Sequence, residues 1–387
     1  MIGRRWPWWG RHRRRVLRGT AALLVVFLAV TGWSIGTALT HPGTDSVAAR
    51  LAEWARDHGM GRLVTWAENQ QYQHDKPRVG GSLNTADRNA LQGGTAPSAV
   101  TGLPAPIPPV VTPALAGEGG WKVLVAVQGR PVVMSALLRP DPSHTSYLAQ
   151  VAWLSGKELR FVLHPGSLEP GHGPWSQPDT IPPGSRTGLV ATYNGGFKLK
   201  DSLAGGYGGY FADGRAIGQL PNGYAAEIFH RDGSMTVGVW GRDSSFSDPT
   251  VVAVRENLHL LVDNGKIQAS IADGSSLTWG YTIRNAYYVW RSGVGVTADG
   301  NVVFAMGPTL SVQTLADLLR RAGAVRALEL DINPDWVSFM SYRVTGDPGN
   351  PTPVKLTGFG RPANRYYQPS SRDFVAAYLR GPSPGPA

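Results

Sequence analysis

From Gly19 to Thr40 the chain carries no charged side chain, and Ala21, Leu23, Leu24, Val25, Val26, Phe27, Leu28, Ala29 and Val30 crowd its middle. Crossing a bilayer core takes a helix of roughly 20 apolar residues, so this stretch predicts one membrane span over residues 19–40. Arg4, Arg5, Arg11, Arg13, Arg14, Arg15 and Arg18 precede it with no acidic residue between them. Such clusters stay cytoplasmic, which predicts a single-pass signal-anchor protein of the cytoplasmic membrane: a basic tail over 1–18 inside, the main domain extracytoplasmic. Trp6, Trp8, Trp9 and Trp33 suit the interfaces. Small residues near Gly36-Thr37-Ala38 leave a cleaved secretory signal as the competing reading, although the apolar run is long for a signal core. Either way the remainder is exported.

The arginine tail also accounts for most of the formal charge of +10, because the rest of the chain nearly balances its basic residues against the 27 acidic ones. A basic nucleic-acid-binding face on the folded part is therefore disfavoured, and no nucleic-acid partner is expected. With 387 residues, 42% of them hydrophobic and 17% charged, the chain can bury a sizeable core. The 49 glycines and 30 prolines argue for strands and turns over a helical bundle. The absence of cysteine excludes disulfides, thiolate metal sites and a cysteine nucleophile.

Beyond the span, Val47, Leu51 and Trp54 recur at helical spacing and Leu63, Val64, Trp66 and Ala67 cluster again, predicting a juxtamembrane helical neck over 41–73. Residues 74–120 turn to Pro, Gly, Ser, Thr and Ala, with prolines from Pro77 to Pro113, and read as a semi-extended linker. At Trp121 alternation begins (Val123, Val125, Val127), and turns at Gln128-Gly129-Arg130, Ser155-Gly156-Lys157, Arg231-Asp232-Gly233 and Asp299-Gly300 are expected to join strand-like runs into hairpins. One helix is expected between Ser311 as N-cap and Gly323, with Leu315, Leu318, Leu319 and Ala322 as its buried stripe. A second helix is expected from Arg372 to Leu379. The fold class is α+β, a strand-rich domain with few helices over 121–380, followed by a disordered tail over 381–387.

Three blocks carry possible chemistry. Asn194-Gly195-Gly196-Phe197 puts a polar side chain and two glycines at a strand end, where backbone can approach a ligand closely. Lys198 and Tyr207 follow in a long glycine-rich loop of the kind that closes over substrates. The second block is Arg291-Ser292-Gly293-Val294-Gly295, leading to an Asp299-Gly300 turn, and the third is Glu329-Leu330-Asp331 with Asn333 after it. On a strand Glu329 and Asp331 share a face, and a close carboxylate pair separates two pKa values, giving the acid and the base or nucleophile that glycosyl transfer uses. Glu329 could equally hold Arg291 in place. His164, Glu169 and His172 lie in one Gly/Pro loop that could bind a divalent cation, but the signal is weak; Glu169 and His172 are placed at the entrance of a site, and no cofactor is expected. No Walker loop, His-Glu-x-x-His or Gly-x-Ser-x-Gly occurs.

In this order the three blocks resemble the phosphodiester glycosidase family, whose pattern runs Asn-Gly-Gly-Phe, then Arg before a Val-Gly-hydrophobic strand and an Asp-Gly turn, then a helix and a strand ending in Leu-Asp. The resemblance implies a hydrolase acting on a sugar phosphodiester or cell-envelope glycan, with Asp331, Glu329, Arg291 and Asn194 at the catalytic centre. It gives Arg291 an anionic group of the substrate and Asn194 a hydrogen bond at the reacting sugar or phosphate. Gly195, Gly196, Lys198, Tyr207, Asn333, Glu169 and His172 are then candidates for substrate binding. The chain departs from the family pattern where Ile332-Asn333-Pro334-Asp335 follows Asp331 in place of three glycines, and where Glu329 stands for a common Asn. Loss of the glycines leaves a non-catalytic envelope glycan-binding protein as the alternative.

Overall fold

The computed structural model describes residues 8–74, 76–93, 100–171, 173–201, 208–273, 276–280, 282, 287–356 and 358–381. They fall into two compact units, Met1–Glu68 and Asn69–Ala387.

In the first unit, α1 (Trp8–Thr40) contains the uncharged stretch, and its part from Arg15 to Thr40 is long and apolar enough to cross a membrane, as a signal sequence or an anchor would be. Helix α2 (Val47–Asp57) starts at Ser46, whose hydroxyl accepts from the Ala49 N–H at 3.1 Å. Arg50, one turn in, donates to the carbonyls of Leu39, His41, Gly43 and Asp45. A helix end leaves its last carbonyls without partners and partially negative, so a cation suits this position. Trp54 donates from Nε1 to Ser34 at 2.9 Å, and Arg56 pairs with Glu68 of α3 (Gly61–His74).

The second unit opens differently from the tether that its composition suggested. Residues 85–92 form α4 (Thr85–Gln92), Leu83, Leu91, Ile107 and Val111 are buried, and Ile107 belongs to the same apolar cluster as Trp121 and Met134. Glu118 forms a buried ion pair with Arg139 at 2.7 Å, and Arg139 also donates to the carbonyls of Val111 and Pro113. The apolar contacts are far apart in sequence and follow no helical or strand period, which is why composition alone hid them.

Eighteen strands, numbered in chain order, make three sheets among the described residues. The first runs β1 (Lys122–Val127), β2 (Arg130–Leu138), β3 (Ala149–Leu154), β14 (Val302–Leu310), β13 (Val289–Thr297), β15 (Ala324–Glu329), β11 (Leu260–Asp263), β12 (Lys266–Ile267). The second runs β7 (Arg215–Gly218), β6 (Gly209–Ala212), β10 (Val251–Glu256), β8 (Ala225–His230), β9 (Met235–Val239). The third runs β17 (Thr352–Lys355), β16 (Phe339–Arg343), β5 (Leu189–Asn194), β18 (Phe374–Leu379), β4 (Leu159–His164).

Alternation on β14 fixes what lies on each side of the first sheet. Phe304 and Met306 enter the core shared with the third sheet, where the Phe304 ring meets Tyr193 and Phe339. Val303 and Ala305 face the other way, against Leu315, Leu318 and Leu319 of α6 (Val312–Arg321), the helix that follows the short α5 (Ser276–Trp279) in the chain. Ser311 caps α6 as expected, accepting from the Thr314 N–H at 3.0 Å. Each fully buried leucine of that stripe contributes about 1.5–3 kcal/mol.

Two expectations fail for identifiable reasons. Ser155-Gly156-Lys157 does not close a hairpin, since β3 pairs with β2 and β14 while β4 pairs with β18 in another sheet, making the turn a corner between layers. Phe374–Leu379 is strand β18, not a helix. It sits between β5 and β4 with every residue buried, and a strand buried on both faces loses the alternation that would mark it.

Candidate functional site

Antiparallel register carries several strand ends to one end of the layers. Gly293 of β13 lies opposite Glu329 of β15, Tyr193 of β5 opposite Phe339 of β16, and Asn194 opposite Phe374 of β18. Strand β10 is tied in through Asn257, whose Nδ2 donates to the carbonyls of Glu329 and Leu330 and whose Oδ1 accepts from the Phe197 N–H at 3.1 Å.

Ser292 is the hub. Asn194 Nδ2 donates to its hydroxyl at 3.1 Å, the Asp331 N–H donates to the same oxygen at 3.2 Å, and the Ser292 N–H donates to the Asp331 carbonyl at 2.8 Å. Asn194 Oδ1 is fixed in turn by the Ser338 N–H at 3.0 Å. Asn194 and Asp331 are thus one serine apart although 137 positions separate them in sequence.

Arg291 is engaged inside the fold. Its Nη1 donates to Glu329 Oε1 at 2.5 Å and its Nε to the Leu310 carbonyl at 2.9 Å, with Arg291 3% and Glu329 0% exposed. Burial pushes the Glu329 carboxyl up and the Arg291 guanidinium pulls it back down. Asp331 turns elsewhere: Oδ1 accepts from the Asn333 N–H at 2.9 Å and Oδ2 stands 3.5 Å from Arg372 Nη2. Burial raises its pKa to about 6 against the lowering influence of Arg372, the Asn333 and Ile332 N–H groups and Arg365. Near neutrality it can carry a proton or release one.

The two glycines after Asn194 are required by close approach. A Cβ on Gly195 would stand 2.3 Å from Asp373 Oδ2, and one on Gly196 would stand 2.9 Å from the Asn257 side chain. Glu169 accepts from the Leu199 N–H at 2.8 Å and donates its own N–H to the Ser371 carbonyl at 3.0 Å, so its loop reaches both the Asn-Gly-Gly-Phe turn and the start of β18. Lys198 is half-buried just after that turn. Asn333 is also half-buried and accepts from the Asp335 N–H at 2.8 Å. Tyr207 and His172 lie outside the described residues. Among the described residues no group of three or more His, Asp or Glu could hold a metal ion.

Several members of this constellation are absent from the sequence reading. Arg255 donates to Asp373 at 2.7 Å and to the Phe197 carbonyl, clamping the turn from beneath. Glu256, at the end of β10, accepts from the Gly209 N–H at 3.2 Å, and Glu227 accepts from the Tyr193 hydroxyl at 2.9 Å. Burial raises both carboxyls to about 8, so at neutral pH each holds its proton. The signal in the sequence was Arg255-Glu256-Asn257 directly after the apolar run Val251 to Val254: three polar residues at a strand's end.

The fold is similar to that of the zebrafish N-acetylglucosamine-1-phosphodiester alpha-N-acetylglucosaminidase catalytic domain, solved auto-inhibited by its pro-peptide, at 14% identity, TM-score 0.41, over 67% of this chain and 88% of that one. It is also similar to a Synechocystis protein at 10% identity, TM-score 0.35, over 67% and 64% of the two chains. An exported protein of Burkholderia pseudomallei matches at 9% identity, TM-score 0.31, over 62% and 75%. No curated protein matches the sequence. The phosphodiester glycosidase family model matches residues 187–331, the span that holds Asn194, Arg291, Ser292, Glu329 and Asp331, so this part of the chain is similar to a phosphodiester glycosidase domain.

Proposed function

We propose that this protein is a membrane-anchored hydrolase that cleaves a sugar phosphodiester or a cell-envelope glycan outside the cytoplasmic membrane. The observation that carries the reading is the meeting of the Asn194 side chain and the Asp331 backbone at Ser292 within the matched span, which brings the two positions together. Asp331 is the acid–base group, because a carboxyl with a pKa near 6 can both give and take a proton at working pH. Asn194, its amide held by Gly195, Ser292 and Ser338, keeps the second lone pair of Oδ1 for a hydroxyl of the reacting sugar. Arg291 and Glu329 act as a positioning pair: their contact stiffens the junction of β13 and β15 from which Ser292 and Asp331 project. Glu169, Lys198 and Asn333 border the site and are its contacts for the rest of the substrate. The N-terminal helix is the anchor, with the arginine cluster on the cytoplasmic side.

The test is turnover of sugar-1-phosphodiesters and envelope glycans by the full chain in detergent micelles, compared with Asp331→Asn and Asn194→Ala. Loss of at least a hundredfold in kcat for Asp331→Asn supports the reading, since a positioned acid–base group is worth about 10²–10⁴. Identical residual rates in all three proteins reject it. Undiminished glycan binding by all three, with no turnover, assigns the chain to the glycan-binding alternative.

A further inference from the structure

Three guanidinium groups surround the indole of Trp336, five residues beyond Asp331. Arg361 lies 4.8 Å, Arg372 4.9 Å and Arg365 5.5 Å from the ring centre, and all three arginines are buried. Arg365 donates to the Trp336 carbonyl at 3.1 Å and the Ser338 hydroxyl at 3.2 Å, both uncharged acceptors. Arg372 has its Nη2 3.5 Å from Asp331 Oδ2, long beside the usual ~2.7–2.9 Å of a charge-assisted bond, and its Nε is buried with no hydrogen-bond partner. Among the described residues Arg365 forms no ion pair, and Arg372 pairs with Asp331 alone. Two buried cations therefore share one loosely held carboxylate. A buried charge without a counter-ion is costly, so the arrangement calls for an anion from outside.

The backbone of the loop after Asp331 cannot receive that anion. The Ile332 and Asn333 N–H groups serve the Asp331 carboxylate. Pro334 has none, Asp335 donates to the Asn333 side chain, and Trp336 and Val337 donate to the Asn333 carbonyl. Every donor is used within the loop. Arg291, by contrast, already has its charge balanced by Glu329.

We propose that Arg365 and Arg372, stacked on Trp336 beside Asp331, form a phosphate subsite that receives the phosphoryl group of a phosphodiester monoanion. A planar guanidinium fork on an aromatic face is pre-oriented for two phosphate oxygens, and the subsite supplies from side chains what a glycine-rich backbone would supply from N–H groups. Both arginines lie outside the matched span 187–331. The inference rests on the reading of the domain as acting on a sugar phosphodiester.

Binding and turnover are measured separately, with the full chain in detergent micelles. Inorganic phosphate and dimethyl phosphate are titrated against it and followed by phosphorus NMR line broadening. Wild type binds both, and Arg372→Gln weakens both by about tenfold or more, the loss of one charge-assisted pair. Arg372→Lys, which keeps the charge and loses the fork, falls between them. Asp331→Asn removes the competing carboxylate and tightens phosphate binding while turnover is lost, a sign that damage to the fold would not give. Unchanged phosphate affinity in Arg372→Gln and Arg365→Gln, both folded by circular dichroism, overturns the subsite; continued cleavage of sugar phosphodiesters would then leave the proposed function standing. If Arg372→Gln does not fold, unchanged affinity in Arg372→Lys overturns it instead. Arginine-dependent phosphate binding without cleavage of any sugar phosphodiester or envelope glycan supports the subsite and refutes the function.

Discussion

Removing either half of the Arg291–Glu329 pair tests whether it is a positioning device. The two side chains are 3% and 0% exposed, Glu329 Oε1 accepts from Arg291 Nη1 at 2.5 Å, and Glu329 Oε2 has no hydrogen-bond partner among the described residues. Glu329→Met leaves a guanidinium with only the Leu310 carbonyl for company, and breaking a buried pair in this way costs about 3–5 kcal/mol. That is a large share of a typical domain's stability of about 5–15 kcal/mol. Arg291→Met leaves a carboxyl instead, and a carboxyl can neutralise itself. Its pKa is already raised by burial, and without Arg291 it rises further, so its folded form prefers the proton. Stability from such a group is fully present below the unfolded-state pKa and is lost as pH climbs through the folded value, so the Arg291→Met deficit should shrink at low pH. The Glu329→Met deficit should not, because arginine does not shed its proton. The double variant Arg291→Met/Glu329→Met should recover most of the loss, giving a coupling of about 2–3 kcal/mol. Urea unfolding of the full chain in micelles, followed by tryptophan fluorescence at low and neutral pH, reads all of this. Single variants within about 1 kcal/mol of wild type, or a double variant equal to the sum of the singles, would refute the reasoning.

Gly195→Ala should destabilise the domain by about 1–3 kcal/mol and depress activity, since the new methyl meets Asp373 side chain and backbone together; a melting curve matching wild type would contradict the close approach. The raised carboxyl of Glu227 should make stability fall as pH rises from about 4.5 through about 8, and Glu227→Gln should flatten that slope in melts at pH 5 and 9. An unaltered slope would mean the carboxyl does not titrate there. If Asp331 donates a proton in the slow step, kcat should fall as pH passes upward through about 6, and if it accepts one, kcat should rise; a profile flat across that range removes it from the step. Ser311→Ala should cost about 1 kcal/mol, measurable by the same urea unfolding, because the α6 N-cap is buried and its hydroxyl serves the Thr314 N–H.

What was legible in the sequence was local. The α6 stripe, the Asp299-Gly300 turn and the alternating strands were readable because period and punctuation are properties of neighbouring residues. The order of Asn194, Arg291 and Asp331 pointed to one site, but the element joining two of them, Ser292, is an unremarked serine whose importance exists only once β13 and β15 are in register. Charge partners were equally hidden. Arg255 finds Asp373, and Asp331 finds Arg372, over long stretches of chain, so neither pair leaves a spacing signal. Strand β10 shows the same limit: its apolar run ends at Val254, while the strand continues through Arg255 and Glu256, both buried.

The clasp between Glu118 and Arg139 bears on how the strand-rich domain should be produced. A soluble fragment cut at Trp121, the natural choice from composition, would strip away Ile107 and the acid that neutralises Arg139, uncovering greasy surface and stranding a cation on β2's outer end. Cutting ahead of Leu83 would keep the strap on its sheet. The shorter version should precipitate or melt early, and failure of such a preparation would speak to the missing strap, not to the proposed function.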